Sequence, residues 1–348
     1  MDRRGDGWAK QFPTLRLAGL GISMVLLLAC LLSSITFGAA DIHPSTVWQA
    51  LTGFDGSTNH LIITTVRLPR ALIALVVGAA LAVAGSLMQG LTRNALADPS
   101  ILGISAGAAF AVVVSTFLLG SLSIQFYTWV AFAGGAIAAL AVYILGSIGR
   151  NGMTPLKLIL AGAVLSYLLS ALTTAILILS QRTLDEIRFW LAGSVAGRDF
   201  NTLMQVLPYI LIGLIVAFSL GKQITALTLG EDVAKGLGLR TGWLKVLTTI
   251  VVVLLAGSAV SLAGPIGFVG LVVPHIVRFW VGVDYRWLLP YAAVWGAILL
   301  SLADLMARLV IKPQELPVGI MTALVGAPFF IYLARFSVGG GASSQVKR

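Results

Sequence analysis

Ten apolar stretches dominate this sequence of 348 residues. A helix needs about 20 apolar residues to cross the hydrocarbon core of a bilayer. Because a helix pairs its own backbone polar groups, it is the form that such a stretch takes in lipid. The sequence therefore predicts an all-α, polytopic membrane protein with about ten transmembrane helices. The stretches are 17–37, 71–91, 100–119, 127–148, 156–179, 203–220, 244–262, a run ending near 281 after a Gly/Pro-rich break at 264–270, 287–308 and 316–336.

The composition supports this class and excludes others. Hydrophobic residues make up 58% of the chain and charged residues only 10%, whereas soluble domains have about 25% charged residues. The connections are too short for a separate soluble domain, so we expect a single transmembrane domain over 1–348, with a flexible tail at 337–348. The net charge of +10 does not indicate a nucleic-acid partner, because the basic residues cluster at the ends of apolar runs, where they meet lipid head groups.

The basic residues also predict the orientation. With ten spans and a cytoplasmic N-terminus, sixteen lysines and arginines fall inside and seven outside, as the positive-inside rule requires. Both termini, including the N-terminal segment 1–16, are then cytoplasmic. Arg67, Arg70 and Arg308 are placed on the outer face. The first run is long enough to span, so we interpret it as a helix and not as a signal peptide, and its Cys30 is the only cysteine, which excludes an internal disulfide.

A short polar segment, 228–239, interrupts the apolar pattern on the predicted cytoplasmic side. Thr228 and Glu231 have the spacing of a capping box at a helix start, and Gly236 or Gly238 is suited to end the helix in a left-handed conformation. Glu231 and Lys235 are one turn apart, in the favourable order for an ion pair.

The opposite face of this short helix is apolar, with Leu229, Val233 and Leu237. A helix of this length is marginal alone in water, so something must hold it. Two interpretations stay open from the residues alone: an interfacial helix lying on its own bundle, or a docking element for another protein.

Several connections carry further signals. The segments 38–66 and 181–201 are predicted to be polar loops, the second with an apolar part, 187–192, at the head-group level. Asp98 and Pro99 have the order of an N-cap and a first helical residue, which predicts a helix start before the third run.

Nine short stretches, in this order and spacing, resemble the permease subunits of the iron-siderophore, haem and cobalamin family of ABC importers, and the resemblance covers nearly the whole chain. One departure is Ala95, which follows Asn94 at a position where the family usually has a proline. The resemblance therefore does not predict the geometry of this turn. The segment 189–194 looks more like the iron-siderophore members. The matching stretches are 67–70, 78–89, 102–103, 160–162, 229–231, 264–278, 303–304, 315–319 and 326–328.

The resemblance implies a type II importer: two permease subunits, identical or homologous, with two cytoplasmic ATPases and a periplasmic or lipid-anchored binding protein that delivers a metal chelate. It implies a bacterial cytoplasmic membrane as the location and membrane lipid as the surroundings. It also implies three sites. They are ATPase coupling at Leu229, Gly230, Glu231, Asp232 and Lys235, binding-protein docking at Arg67, Arg70 and Arg308, and a cytoplasmic gate at Asn94, Leu96 and Thr154.

The chain is expected to be a transport subunit and not an enzyme. No G-x-x-x-x-G-K-[ST] phosphate loop occurs in it, so ATP and Mg²⁺ belong to the partner ATPase and no cofactor or metal is expected in this chain. The alternatives are a haem or cobalamin permease, an ion-coupled secondary transporter and an intramembrane enzyme. The last two need ionisable groups at mid-membrane. The candidates are Asp304 and His275. For Asp304 the simpler interpretation is an interfacial ion pair with Arg308. For His275 the simpler interpretation is a hydrogen bond at the point where Pro274 disturbs the helix.

Overall fold

The computed structural model describes residues 13–38, 42–121, 123–148, 154–312 and 314–342, and all regular structure within them is helical. A π-helix, Ile62–Arg67, precedes α4, and a 3₁₀ turn, Pro99–Leu102, precedes α5. The helices are α1 (Pro13–Thr36), α2 (Pro44–Thr52), α3 (Thr58–Leu61), α4 (Leu68–Thr92), α5 (Ile104–Leu119), α6 (Ile124–Ser147), α7 (Pro155–Leu179), α8 (Gln181–Leu191), α9 (Phe200–Ser219), α10 (Gly221–Thr228), α11 (Glu231–Gly236), α12 (Thr241–Ala263), α13 (Val269–Val281), α14 (Tyr285–Leu309) and α15 (Val318–Ala342).

The apolar stretches of the sequence become ten apolar helices, as predicted. In the described part of the chain, seven helices are long and apolar enough to cross a membrane, and three shorter apolar ones accompany them. The long ones include α1, α6, α7, α9, α12 and α14, together with the continuous helical segment that ends in α4. The shorter ones are α5, α13 and the part of α15 from Val318 to Tyr332.

The centre of the bundle is α4, which is buried along most of its length between α12, α13 and α14. Glycines allow this close packing. A Cβ atom at Gly78 would overlap the carbonyl oxygen of Gly296 on α14, and one at Gly85 would overlap the carbonyl oxygen of Gly270 on α13. Small residues at such crossings let helix backbones meet in a membrane, where lipid removes most of the hydrophobic drive for association.

A second packed unit consists of α5, α6 and α7. Gly107 of α5 and Gly134 of α6 face each other with no room for a Cβ atom on either, and Gly162 of α7 lies against the carbonyl oxygen of Ile101 in the 3₁₀ turn. The other side of α7 is open, and Tyr167 there is 78% exposed. One face of this apolar helix therefore has no neighbour among the described residues.

Contacts between the ends of helices that are far apart in sequence define two ends of the bundle. At one end, Arg308 near the end of α14 donates to the carbonyl oxygen of Ser34 near the end of α1, and we call this the arginine end. At the opposite end, the backbone N–H of Tyr285 at the start of α14 donates to the hydroxyl of Thr225 in α10. The segment with α10 and α11 therefore lies a full helix length, about 38 Å for the 25 residues of α14, from the arginine end.

Two connections differ from the sequence predictions. The segment 38–66 contains α2, α3 and the first part of the π-helix, and 181–201 contains α8, whose polar and apolar residues are arranged on opposite faces. Such amphipathic helices have too few apolar residues to stand out as spans. α15 continues to Ala342, so residues 337–342 of the predicted flexible tail are helical, whereas 343–348 and residues 1–12 lie outside the described residues.

Candidate functional site

The arginine end holds a buried cluster of charges. Arg67, Arg70 and Arg308 are only 6%, 7% and 3% exposed, and Asp304 is fully buried. Arg70 donates from Nε and Nη2 to Asp304 Oδ1 at 3.0 and 2.9 Å, and Arg308 Nη2 lies 3.1 Å from Asp304 Oδ2. One carboxylate therefore joins α4 to α14 and offsets two guanidinium groups. The predicted Asp304–Arg308 pair is present, and both side chains are buried within the bundle.

Two of these arginines, Arg67 and Arg308, cap the C-terminal end of α1. Arg67 Nη1 donates to the carbonyl oxygens of Ile35 and Thr36 at 2.8 and 2.6 Å, and Arg308 Nη1 donates to that of Ser34 at 2.9 Å. The last carbonyls of a helix have no partner inside it, and cations are favourable at this negative end of the helix dipole. The arginines thus pair the carbonyl oxygens of Ser34 and Ile35, and that of Thr36 also accepts from the backbone N–H of Ile42 at 3.3 Å.

Glu315 completes the cluster and is its more accessible carboxylate. Its Oε2 accepts from Arg70 Nη1 at 2.5 Å, and its side chain is 34% exposed. The three arginines and two carboxylates of this cluster sum to one positive charge. The structure places the three predicted docking residues together, with partners inside the chain, and their role toward a binding protein stays a prediction.

The predicted coupling residues lie at the opposite end, on α11 and the turn before it. Gly230 is the N-cap of α11, with φ +130°, a conformation that only glycine adopts readily. The capping-box prediction is wrong: Thr228 ends α10, and its hydroxyl donates to the carbonyl oxygen of Thr225. The reason is Gly230, whose backbone breaks the chain into two short helices.

Glu231 anchors α11 to α12. Its Oε2 accepts from Lys245 Nζ at 2.7 Å and its Oε1 from Thr241 Oγ1 at 3.3 Å. The predicted Glu231–Lys235 pair is present as well, at 3.3 Å. These cations lower the pKa of Glu231 to about 2, the Lys245 hydrogen bond being the largest cause. Gly238 has φ +80° as expected for the turn after α11.

The apolar side of this segment is exposed. Leu229, Val233 and Leu237 are 66%, 48% and 65% exposed, and Asp232 is exposed beside them. Ala234, by contrast, is fully buried against the bundle. An apolar patch of this kind, flanked by charges and held in place by an ion pair, has the features of a protein contact surface.

The pH dependence of this anchor is predictable, because Glu231 has a lowered pKa. A carboxyl group with a lowered pKa in the folded state contributes stability above its usual pKa, 4.5 here, and loses it as the pH falls. We expect wild type to unfold at a higher temperature than Glu231→Gln at pH 6 and the difference to shrink steadily as the pH falls from about 4.5 toward 2. Thermal unfolding of both proteins in detergent measures it, and a difference independent of pH would contradict the prediction.

The predicted gate residues lie at this same end. Arg93 ends α4 with φ +50°, and Asn94 Oδ1 then accepts from the backbone N–H of Leu96 at 3.0 Å, which forms a tight turn. Thr154 is the N-cap of α7 and accepts from the backbone N–H of Lys157. Asp98 caps the 3₁₀ turn with Pro99 at its first position, as predicted, and α5 proper starts at Ile104. The gating role of Asn94, Leu96 and Thr154 stays a prediction.

The candidate for a proton relay has a local explanation. His275 Nδ1 lies 2.8 Å from the carbonyl oxygen of Leu271, one turn earlier in α13, beside Pro274, which lacks an N–H. The ring also packs edge-to-face on Phe329 of α15. Among the described residues, no group of three or more His, Cys, Asp or Glu side chains is arranged to hold a metal ion.

Comparison with known proteins agrees with this architecture. The chain is 51% identical over 310 residues to "Probable siderophore transport system permease protein YfiZ" of Bacillus subtilis, covering 89% of this chain and 93% of that protein. It is 48% identical over 303 residues to "Iron(3+)-hydroxamate import system permease protein FhuB" of the same organism, covering 87% and 79%.

A solved structure, described as an inward-facing conformation of a metal-chelate type ABC transporter, superposes with a TM-score of 0.80 at 32% identity and covers 92% of this chain and 99% of that one. The family model described as the FecCD transport family matches residues 26–336, which include all three predicted sites. The sequence, the fold and these matches lead to one conclusion. The chain belongs to the FecCD transport family.

Proposed function

We propose that this chain is the membrane-spanning permease subunit of an ABC importer that carries a ferric siderophore across the cytoplasmic membrane of a bacterium, with both termini cytoplasmic. The match to the FecCD family over residues 26–336 is the observation that carries the proposal. The names of YfiZ and FhuB support a siderophore, with a hydroxamate as one chemical class.

We assign each proposed partner to one surface of the chain. An ATPase would bind the exposed face of Leu229, Val233 and Leu237. A second permease, identical or homologous, would cover the open side of α7. A binding protein would dock at the arginine end, where Glu315 is the exposed member of the charge cluster. The translocation pathway would then run between the two permeases.

Reconstitution tests the function directly. The chain is placed in liposomes with the ATPase, the binding protein and any second permease encoded beside it, and uptake of ⁵⁵Fe-loaded hydroxamate siderophore is measured with ATP inside, or with an imposed proton or sodium gradient and no ATP. We expect uptake with ATP alone. Uptake driven by a gradient without ATPase would reject this function in favour of a secondary transporter, and uptake of haem or cobalamin in place of the siderophore would reject the substrate.

A charge exchange tests how Glu231 contributes to coupling. Because its carboxylate points to Lys245 of α12, Glu231→Lys should detach α11 and weaken ATPase association by roughly tenfold, the value of one charged hydrogen bond. Adding Lys245→Glu re-forms the pair with the charges reversed and should restore most of the association. Co-purification of the ATPase measures both.

The double variant separates two roles for Glu231. If the double variant stays as weak as Glu231→Lys, the carboxylate itself contacts the ATPase. Wild-type association of Glu231→Lys alone would reject a contribution of Glu231 to docking. Arg240→Gln, an exposed change in the following turn, is the matched control and should bind as wild type does.

A further inference from the structure

A cavity of 290 Å³ lies at the arginine end, outside the predicted sites. It is bounded by the start of α6, the end of α8 and the two segments that precede α9 and α15. Its volume is at the lower end of the range for ligand pockets, about 300–1,000 Å³. The lining residues are Ile124, Phe189, Trp190, Ser194, Ala196, Gly197, Arg198, Glu315, Leu316 and Pro317.

Two hydrogen-bond donors in the wall of this cavity lack acceptors. Arg198 and Trp190 are each only 8% exposed. The buried Nε of Arg198 and the buried Nε1 of Trp190 have no hydrogen-bond partner in the described part of the protein. Buried polar groups in proteins are nearly always paired, so two unpaired donors beside one cavity indicate a missing acceptor.

The positive charge of Arg198 is a second reason to expect an acceptor in this cavity. Burial lowers the pKa of its guanidinium to about 10, against the opposing effect of Asp199, so the group is still charged at neutral pH. Asp199 does not form an ion pair with it, since the Asp199 carboxylate caps α9 and accepts from the backbone N–H of Thr202 at 2.9 Å. A buried charge without a partner is costly, and an anion in the cavity would remove that cost.

Glu315, the carboxylate already in the cavity wall, does not supply the missing acceptor. Its Oε2 accepts from Arg70 Nη1 at 2.5 Å. The positive charge of Arg70 also reduces the repulsion between Glu315 and an anion in the cavity. The wall thus presents an unpaired cation and an indole N–H beside a neutralised carboxylate.

We propose that this cavity binds a carboxylate group, with the guanidinium of Arg198 and the indole N–H of Trp190 as donors. A planar guanidinium matches a carboxylate through charge-assisted hydrogen bonds. The volume suits a group of a few heavy atoms. The carboxylate is carried either by a small anionic molecule or by an acidic side chain of a protein docked at this end, and the second source rests on the proposed function.

The test measures binding to the purified full chain without ATPase or transport, so it is independent of the uptake experiment. One arm uses ¹⁴C-acetate and ¹⁴C-citrate in equilibrium dialysis at constant ionic strength. The other uses the binding protein encoded beside this chain. Arg198→Gln is expected to weaken at least one arm by roughly tenfold or more, as the loss of a charged hydrogen bond implies. Arg188→Gln, which alters an exposed arginine of α8, should change neither.

The outcomes distinguish the sources. If Arg198→Gln binds acetate or citrate more weakly than wild type does, the site is assigned to small anions. If Arg198→Gln binds only the binding protein more weakly, the site is assigned to an acidic side chain of that protein. Equal binding by wild type and Arg198→Gln in both arms overturns the proposal. Without ligand, Arg198→Gln should unfold at the wild-type temperature or above it, because it removes an unpaired buried charge. A clearly lower temperature would show that Arg198 is paired within the protein and would also overturn the proposal.

Discussion

Replacing Asp304 by asparagine is expected to destabilise the protein by about 3–5 kcal/mol, the usual effect of breaking a buried ion pair by removing one partner. Asp304 is fully buried and its two oxygens accept from Arg70 and contact Arg308. The substitution preserves the shape of the side chain and removes its charge, so two buried guanidinium groups lose their counter-ion. Thermal unfolding in detergent and the yield of monodisperse protein measure the loss.

Asp185→Asn is the matched control. Asp185 is half exposed on α8, and its carboxylate lies 3.6 Å from Arg188 one turn away. Surface pairs of this kind contribute about 0–1 kcal/mol. If Asp304→Asn unfolds within a degree of Asp185→Asn, the charge cluster does not hold α4 to α14.

Replacing Gly85 by alanine is expected to cost about 3 kcal/mol or more, the upper part of the range for overpacking a core. The added methyl group would overlap the carbonyl carbon and oxygen of Gly270. These are backbone atoms, so no side chain can rotate away, and α4 and α13 must separate along their crossing. We expect a lower unfolding temperature and, in the reconstituted importer, lower uptake.

Gly21→Ala makes the same chemical change where there is room. Gly21 lies in α1, and no atom of another group lies within 4 Å of a Cβ placed there. Alanine favours the helix over glycine by about 0.5–1 kcal/mol, so this variant should be neutral or slightly more stable. Similar losses for both variants would show that the effect comes from glycine's backbone and not from the crossing.

The apolar helices were predictable from the sequence because each is encoded locally. Lipid leaves the backbone no partner outside its own helix, so a long apolar run has one outcome. The 3₁₀ turn before α5 follows the same logic, since Asp98 and Pro99 act on their nearest neighbours. The family resemblance predicted the assembly class from short stretches that each have little meaning alone.

The charge cluster could not be predicted because it is not local. Arg70 and Asp304 are 234 residues apart in the chain and meet at Oδ1 and Oδ2 only after α4 and α14 pack. From the sequence, Asp304 has one visible partner, Arg308, one turn away. Sequence position placed both at the membrane surface, whereas the α1 terminus covers them.

The sequence did not predict where α11 starts or that Arg198 lines a cavity, and the reasons differ. A capping box assumes that the chain enters the helix in an extended conformation, but Gly230 enters it at φ +130°. Arg198 appeared only as one of seven basic residues on the predicted outer side. Its one local signal is the sequence Ala196-Gly197-Arg198-Asp199 within the predicted loop 181–201. Nothing in that sequence shows that Trp190 lies beside the same cavity.

The arginine contacts to the end of α1 have a consequence for synthesis. Arg308 and Ser34, which it binds through both the carbonyl and the hydroxyl oxygen, are 274 residues apart. At roughly 5–20 residues per second, a ribosome needs about 14–55 s to make the intervening chain. During that time the first helix is already in the membrane with its last carbonyls unpaired by Arg308. Arg67 can pair Ile35 and Thr36 as soon as α4 is made, whereas the contacts to Ser34 form only when the ninth apolar helix arrives.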